Sequence, residues 1–356
     1  MASNKSNEAV ESFPMNAGDG PYSYTHNSFG QKKGIDSVKA LIVEGIAEKL
    51  ETKPSQNIVR IADLGCSVGP NTFFAVEIII ESVKLKFQTD GIDSDSLEFC
   101  VFFNDHVSND FNTLFKSIPL DNKYYAAGVP GSFHDRLFAK ASLDFVHSSY
   151  ALQWLSKVPT EIVDKQSPAW NKGKIYYTNS PKEVEEAYRK QFGKDIESFL
   201  NARATEIVSG GLMSFIIPGV PPSSKCTLTA VMDLMGCALM DLASMGLIEE
   251  EKVDSFNLPL YFPTPNELGS LIENNGYFSV ENMEALVVHS TSDVHSTALH
   301  LRAGSDILIT QHFGNHQIIE KLFDQFKNKI IESSVLTDPT YKPSYSLFVL
   351  LKRKSY

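Results

Sequence analysis

Basic residues are what this chain most lacks: 32 Lys and Arg stand against 43 Asp and Glu in 356 residues. The formal net charge of −11 and a pI near 5.3 exclude a general nucleic-acid-binding surface, which needs clustered cations. Long apolar runs are also missing. No stretch reads as the roughly 18–20 consecutive apolar residues of a membrane span. The first residues, "MASNKSNEAVESFPMN", hold no apolar core of a secretory signal. The expectation is a soluble, intracellular, cytoplasmic protein with neither nucleic acid nor membrane as partner. Cysteine is scarce, and Cys66, Cys100, Cys226 and Cys237 show no metal-ligand spacing, so free thiols are expected. Repeats and low-complexity blocks are absent.

What is present is a 42% hydrophobic composition, enough for a large core. "NIVRIADLG", "LEFCVFFND", "YYAAGVPGSF", "SLDFVHSSYAL" and "GGLMSFIIPG" read as five buried strands, and "FSVENMEALVV" and "YSLFVLLKRK" as two more. Helical stretches alternate with them, as in "IDSVKALIVEGIAEKLE" and the run after Pro70. This alternation predicts an α/β fold with a mainly parallel sheet covered on both faces. Residues 1–356 form one compact chain. Residues 36–218 and 277–356 make most of the core. The Met- and Leu-rich stretch 219–276, with parts of 1–35 and 290–340, reads as a helical cap over the carboxyl edge of the sheet, where open α/β sheets bind ligands.

The first strand runs into "IADLGCSVGPN", a glycine turn before a helix. No Lys follows Gly69, which argues against a P-loop. Glycines stand only at 65 and 69, which is not the G-x-G-x-x-G of a dinucleotide site, and the acid that ends the second strand is Asp105. A glycine turn with an acid on each of two strands suits a ligand with a ribose and no pyrophosphate. S-adenosylmethionine is such a ligand. Asp105 can take its ribose diol on two carboxylate oxygens. Asp63 either faces the ammonium or is a structural acid bonded to the turn's own amides. His147, ending a buried strand, is a structural histidine or a base, and the first is favoured.

Eight ordered segments then resemble one family, the plant SABATH methyltransferases: "SYTHNSFGQ", "IADLGCSVGPN", "FFNDHVSNDFNTLF", "GVPGSFHDRLF", "HSSYALQWLSKVP", "NKGKIY", "GLIEEEKVDSFNLPLY" and "HFG". The resemblance runs nearly end to end. It implies a Rossmann-like methyltransferase sheet with an α-helical cap, often a homodimer, and methyl transfer from S-adenosylmethionine to a small carboxylic acid, leaving S-adenosylhomocysteine. One branch of the family methylates xanthine nitrogens instead. Carried over by motif, the cofactor would meet Tyr24, Cys66, Asn71, Asp105, His106, Ser132, Phe133 and Ser149, with Phe133 stacking on adenine. The substrate would meet Tyr24, Gln31, Tyr150, Gln153 and Trp154, with Gln31 and Trp154 holding the carboxylate. A non-catalytic magnesium ion is implied near Asn171, Asp254, Phe256 and Asn257, although one carboxylate is a thin site for a hard cation. Without the resemblance, Tyr150 and Trp154 would read as core aromatics.

Two departures bear on the substrate. "MNAG" places Asn16 where the family carries a Lys. Met232 falls where salicylate-methylating members carry a bulky Trp, which implies a pocket wider than one flat ring. The segments "MDLMGCALMDLA" and "SDVHSTALHLRA" most resemble members acting on iridoid acids such as loganic acid, with terpenoid and hormone acids open. Gln153 is shared with the xanthine branch. A non-catalytic binder would be expected to have lost Asp105, Gln31 or Trp154, and all three are present.

Overall fold

The structure is a computed structural model, and it describes residues 14–222, 225–288, 293–314 and 316–355. In chain order the elements are α1 (Tyr24–Asn27), α2 (Phe29–Lys49), β1 (Ile58–Leu64), α3 (Pro70–Thr89), β2 (Glu98–Asp105), α4 (Phe111–Lys116), β3 (Tyr125–Pro130) and β4 (Leu143–Ser149). There follow α5 (Lys182–Glu206), β5 (Ile207–Gly219), α6 (Thr227–Ser244), α7 (Glu250–Ser255), α8 (Pro265–Asn275), β6 (Phe278–Val288), α9 (Val294–Phe313), α10 (His316–Ser333) and β7 (Ser344–Arg353).

All seven expected strands form one sheet, in the order β3-β2-β1-β4-β5-β7-β6. The first five are parallel, while β7 runs antiparallel to both β5 and β6. The order reverses between β1 and β4, so the crevice beyond their carboxyl ends is the place for a ligand. Alternate residues of each central strand enter two separate cores. On β7, Phe348 and Leu350 pack with α2 and α3, while Leu347, Val349 and Leu351 pack with α5, α8 and α10. This two-sided burial explains why the strands read as apolar runs.

Helix α3 starts at Gly69 with Pro70 in its first turn, where a missing N–H costs nothing. Helix α6 is 18 residues long and apolar enough, by length and composition, to cross a membrane, which corrects the expectation that no such run exists. It packs against α10 and α7, as a helix of the core does. Helix α8, inside the stretch read as cap, packs against α5 and β6.

The largest fully buried side chain is Arg203, near the end of α5, paired with the fully buried Glu206. Arg203 Nε donates to Glu206 Oε2 at 2.7 Å, and its other nitrogens donate to the carbonyls of Phe133 and Asp135 at 2.8 and 2.9 Å. Glu206 Oε1 accepts from the N–H groups of Leu137 and Phe138 at 2.6 and 2.9 Å. One ion pair therefore staples the loop after β3. Burial makes such a pair expensive, and breaking it leaves a lone charge inside. Glu206→Ala is expected to cost about 3–5 kcal/mol of stability, and the double variant Arg203→Met/Glu206→Leu at least as much, because the carbonyls of Phe133 and Asp135 and the N–H groups of Leu137 and Phe138 then all lose their partners. Urea unfolding of the three proteins checks the order.

Candidate active site

The glycine turn is held by the last two residues of β2. Gly65 (φ +81) and Ser67 (φ +52) are both left-handed. A Cβ on residue 65 would lie 2.3 Å from that of Ala151, so glycine is required there twice over. The N–H groups of Gly65 and Cys66 donate to the Asn104 carbonyl at 2.9 and 3.0 Å. The Ser67 N–H donates to Asp105 Oδ2, and the His106 N–H to Asp105 Oδ1, both at 2.8 Å. Gly131 N–H donates to the Asp105 carbonyl at 2.9 Å. The Asn104 side chain donates to the carbonyls of Val129 and Gly131 at 2.7 and 2.9 Å. Each Asp105 carboxylate oxygen keeps a further lone pair for a hydroxyl.

Beside this turn runs a narrow cleft lined by Tyr24, Gln31, Asp63, Cys66, Asn71 and Ser149. Asn71 ties the start of α3 to the α1–α2 junction, donating to Ser28 O and Oγ at 3.0 Å each. Two groups of the cleft, Ser149 Oγ and Gln31 Oε1, are buried without a protein partner. Such orphans are costly unless a ligand completes them. Orphaned polar atoms, an acid pair and a glycine turn fit a cofactor with an amino-acid end and a ribose.

Next to the cleft lies a cavity of about 280 Å³. Tyr24, Gln31, Tyr150, Gln153 and Trp154 all line it, as do Met232, Met235 and Phe262. Tyr24 and Gln31 belong to both spaces. Burial raises the pKa of the Tyr24 hydroxyl, with Asp105, Tyr150 and Asp63 adding to the effect, so it stays neutral. Tyr150 sits in the left-handed region (φ +54) directly after β4, and its hydroxyl bonds to Ser346 Oγ of β7 at 2.5 Å. That hydroxyl lies over Gly34, where a Cβ would come within 1.7 Å of it. The segment around Trp154 is fixed by backbone: Leu155 N–H donates to Pro259 O at 2.8 Å and Tyr261 N–H to Gln153 O at 2.9 Å. Behind α6 opens a second groove, of about 810 Å³, lined among others by Thr229, Asp233, Tyr177 and Tyr261. Phe262 borders both this groove and the cavity.

His106, Ser132 and Phe133 follow the ends of β2 and β3 and, like Asp105, are not among the residues that line the two spaces. The would-be Cβ of Gly65 is 3.7 Å from the Phe133 ring, and Phe133 also meets His134 at 4.6 Å between ring centroids. The amide-holding role weighed for Asp63 falls to Asp105; Asp63 is instead bonded to the hydroxyl of Thr72. His147 is fully buried in the sheet, with Nδ1 2.9 Å from Ser214 Oγ. Burial lowers its pKa to about 4, so it is neutral at pH 7, and it lines neither space.

The magnesium set does not fit a cation. Asn171 Oδ1 accepts from Ser180 Oγ, Asn257 Oδ1 from Asn171 Nδ2 and Asp254 Oδ1 from Gly173 N–H, each at 2.7 Å. The buried side-chain atom of this set that has no partner among the described residues is a donor, Asn257 Nδ2. The described residues also hold no group of three or more His, Cys, Asp or Glu placed for a metal. These side chains instead tie the 171–180 loop to the end of α7. Sequence reading missed Asn104, Thr72, Gly34 and Ser346. The pair "ND" in "FFND" was the one visible signal, since both residues end a strand.

Burial raises the Asp63 carboxyl to about 7, with the Thr72 bond opposing and the Asp105 charge adding. The folded value lies above the unfolded one, so the native state binds the extra proton. Its contribution to stability is lost as pH rises through the window from about 4 to about 7. Asp63→Asn is expected to stabilise the cofactor-free protein by about 2–4 kcal/mol at pH 8.5 and by much less at pH 5. Urea unfolding at both pH values checks the sign.

A family model described as SAM dependent carboxyl methyltransferase matches residues 10–354. The chain is 46% identical to loganic acid O-methyltransferase of Catharanthus roseus, over 97% of this chain and 95% of that one. It is 44% identical to farnesoic acid carboxyl-O-methyltransferase of Arabidopsis thaliana, over 77% and 79%, and 37% identical to caffeine synthase 1 of Camellia crassicolumna, over 89% and 90%. A solved structure of loganic acid methyltransferase with SAH superposes with a TM-score of 0.91, covering 96% of this chain and 99% of that one. Sheet order, glycine turn and motifs agree with these likenesses, and the chain belongs to the S-adenosylmethionine-dependent carboxyl methyltransferases of the SABATH family.

Proposed function

We propose that this enzyme makes the methyl ester of a small acid bulkier than one flat ring, of the iridoid or terpenoid type. One observation carries the reading: the cofactor cleft and the cavity meet at Tyr24 and Gln31, which line both. A methyl group passes between two molecules only where their sites touch. The volume of the cavity and the flexible Met232 and Met235 on its wall suit a thick, largely apolar acid. The names of the relatives, loganic acid and farnesoic acid methyltransferases, point the same way.

S-adenosylmethionine, when bound, supplies an electrophilic sulfonium methyl. The chain's own work is to bind, orient and exclude water. Asp105 takes the ribose diol, Asp63 the ammonium, Ser149 and Asn71 the remaining polar groups of the amino-acid end. Cys66, His106, Ser132 and Phe133 surround the nucleoside. Gln31 and Trp154 present neutral N–H donors to the carboxylate. They orient an oxygen without pairing it to a full charge, which would stabilise the ground state as well. A carboxylate is ionised at pH 7, so no side chain needs to act as base. On the resemblance alone we also propose a homodimer located in the cytoplasm; light scattering tests the first.

One observation favours xanthine N-methylation as a second reading. Gln153 Oε1 is buried without a partner and could accept a ring N–H, while its Nε2 is committed to the Tyr150 carbonyl at 2.6 Å.

Labelled S-adenosylmethionine with a panel of acids and xanthines separates the two. The expected product releases methanol in alkali; a base-stable product would replace the ester reading. Trp154→Phe keeps the aromatic wall and removes one donor. Its expected cost is roughly tenfold to a hundredfold in kcat/KM, with cofactor affinity unchanged. Asp105→Ala is expected to weaken cofactor binding by about 2–4 kcal/mol in calorimetry, unchanged affinity being the contrary result. With saturating cofactor, kcat should be flat above about pH 6. Apparent cofactor affinity should rise with pH through about 7, because the ammonium favours ionised Asp63.

A further inference from the structure

His300 stands on α9 in the wall of the substrate cavity. Its ring packs 6.1 Å from that of Phe29, and its Cε1 approaches the backbone of Gly30. Nδ1 lies 3.0 Å from the carbonyl oxygen of Asn27. A carbonyl can only accept, so Nδ1 carries the ring proton. Burial disfavours the imidazolium and keeps the ring neutral at pH 7. The lone pair is then on Nε2. That nitrogen makes no hydrogen bond to a described residue, and the residue that carries it lines the cavity.

A carboxylate cannot satisfy this nitrogen, since both are acceptors. On the carboxylic-acid reading Gln31 and Trp154 are the donors of this cavity, and His300 adds an acceptor of fixed tautomer. Leu301, Gly304, Val288 and Leu336, which also line the cavity, carry no side-chain donor, and the hydroxyls of Thr297 and Ser305 on the same helix donate to the carbonyls of Asp293 and Leu301 at 3.0 and 2.7 Å. We propose that His300 Nε2 accepts a hydrogen bond from a substrate hydroxyl, so that the preferred acceptor is a hydroxylated carboxylic acid. The proposal rests on the carboxylic-acid reading and narrows it. A buried acceptor left unpaired penalises an acid that lacks the hydroxyl, which gives discrimination larger than shape alone provides.

Two variants separate recognition from support. His300→Asn keeps an N–H near the Asn27 carbonyl and removes the distal acceptor. His300→Gln carries an amide oxygen to about the place of Nε2. Full-length protein is assayed for ester formation with loganic acid, which bears hydroxyls, and with farnesoic acid, which has none beyond the acid group. Affinity for S-adenosylhomocysteine is measured by calorimetry. His300→Asn is expected to lower kcat/KM for loganic acid roughly tenfold or more and to leave farnesoic acid unchanged or faster. His300→Gln should recover part of the loss, and S-adenosylhomocysteine should bind all three proteins alike. Equal losses with both acids, or no loss with loganic acid, overturn the proposal while ester formation stands. No ester from either acid, by wild-type protein that still binds S-adenosylhomocysteine, overturns the carboxylic-acid reading and this inference with it.

Discussion

Everything at the site hangs from the carboxyl end of β2. Asn104 and Asp105 receive the N–H groups of Gly65, Cys66, Ser67, His106 and Gly131, and they hold Val129 and Gly131 by carbonyl. Three connections, after β1, β2 and β3, are therefore fixed relative to one another by two adjacent residues. A loop that must present backbone to a ligand has few bonds of its own, and here a strand end supplies them. From the other side, the Arg203–Glu206 pair holds the loop after β3 by four further backbone groups. Phe133 is held between these two anchors. Its backbone is fixed by the bond from Arg203 to its carbonyl, and its ring by packing against His134 and Phe199.

The charge arrangement is unfavourable until a ligand arrives. Asp63 and Asp105 lie close enough to raise each other's cost of ionisation, and burial raises both. Arg203, the large buried cation nearby, is already paired with Glu206. A sulfonium or ammonium entering the cleft would offset what the folded chain leaves uncompensated. Stability and cofactor affinity thus draw on the same carboxylates with opposite sign.

The sheet was legible in the sequence because its strands are buried on both faces and read as apolar runs bounded by turns. "IADLG" and "LEFCVFFND" needed only period and composition. The reversal of β7 was not legible: "YSLFVLLKRK" is equally apolar in either direction, and its pairing with β5 is decided by the chain's path after α10. For the site, the motifs contain the Tyr24, Gln31, Cys66, Asn71 and Ser149 that line the cleft and the Tyr150, Gln153 and Trp154 that line the cavity, but Asp105, His106, Ser132 and Phe133 line neither, and bonds between distant segments left no local trace. Gly34 and Ser346 are unremarkable in sequence, yet they fix Tyr150 from α2 and β7. The Asn171–Asn257–Asp254 group looked like oxygen ligands because a list of residue types does not say which oxygens are already taken.

Helix α6 has open space on two sides, the cavity in front and the wide groove behind, with Phe262 bordering both. Residues of its front face can change bulk while the displaced volume moves outward into solvent. Val231, Met232 and Met235 share a core with residues of β5 and β7, whereas the opposite face of the sheet packs with α2 and α3 in a separate core. A change of acid specificity on this helix therefore draws on one core of the molecule and leaves the other, which holds α2 and α3, untouched.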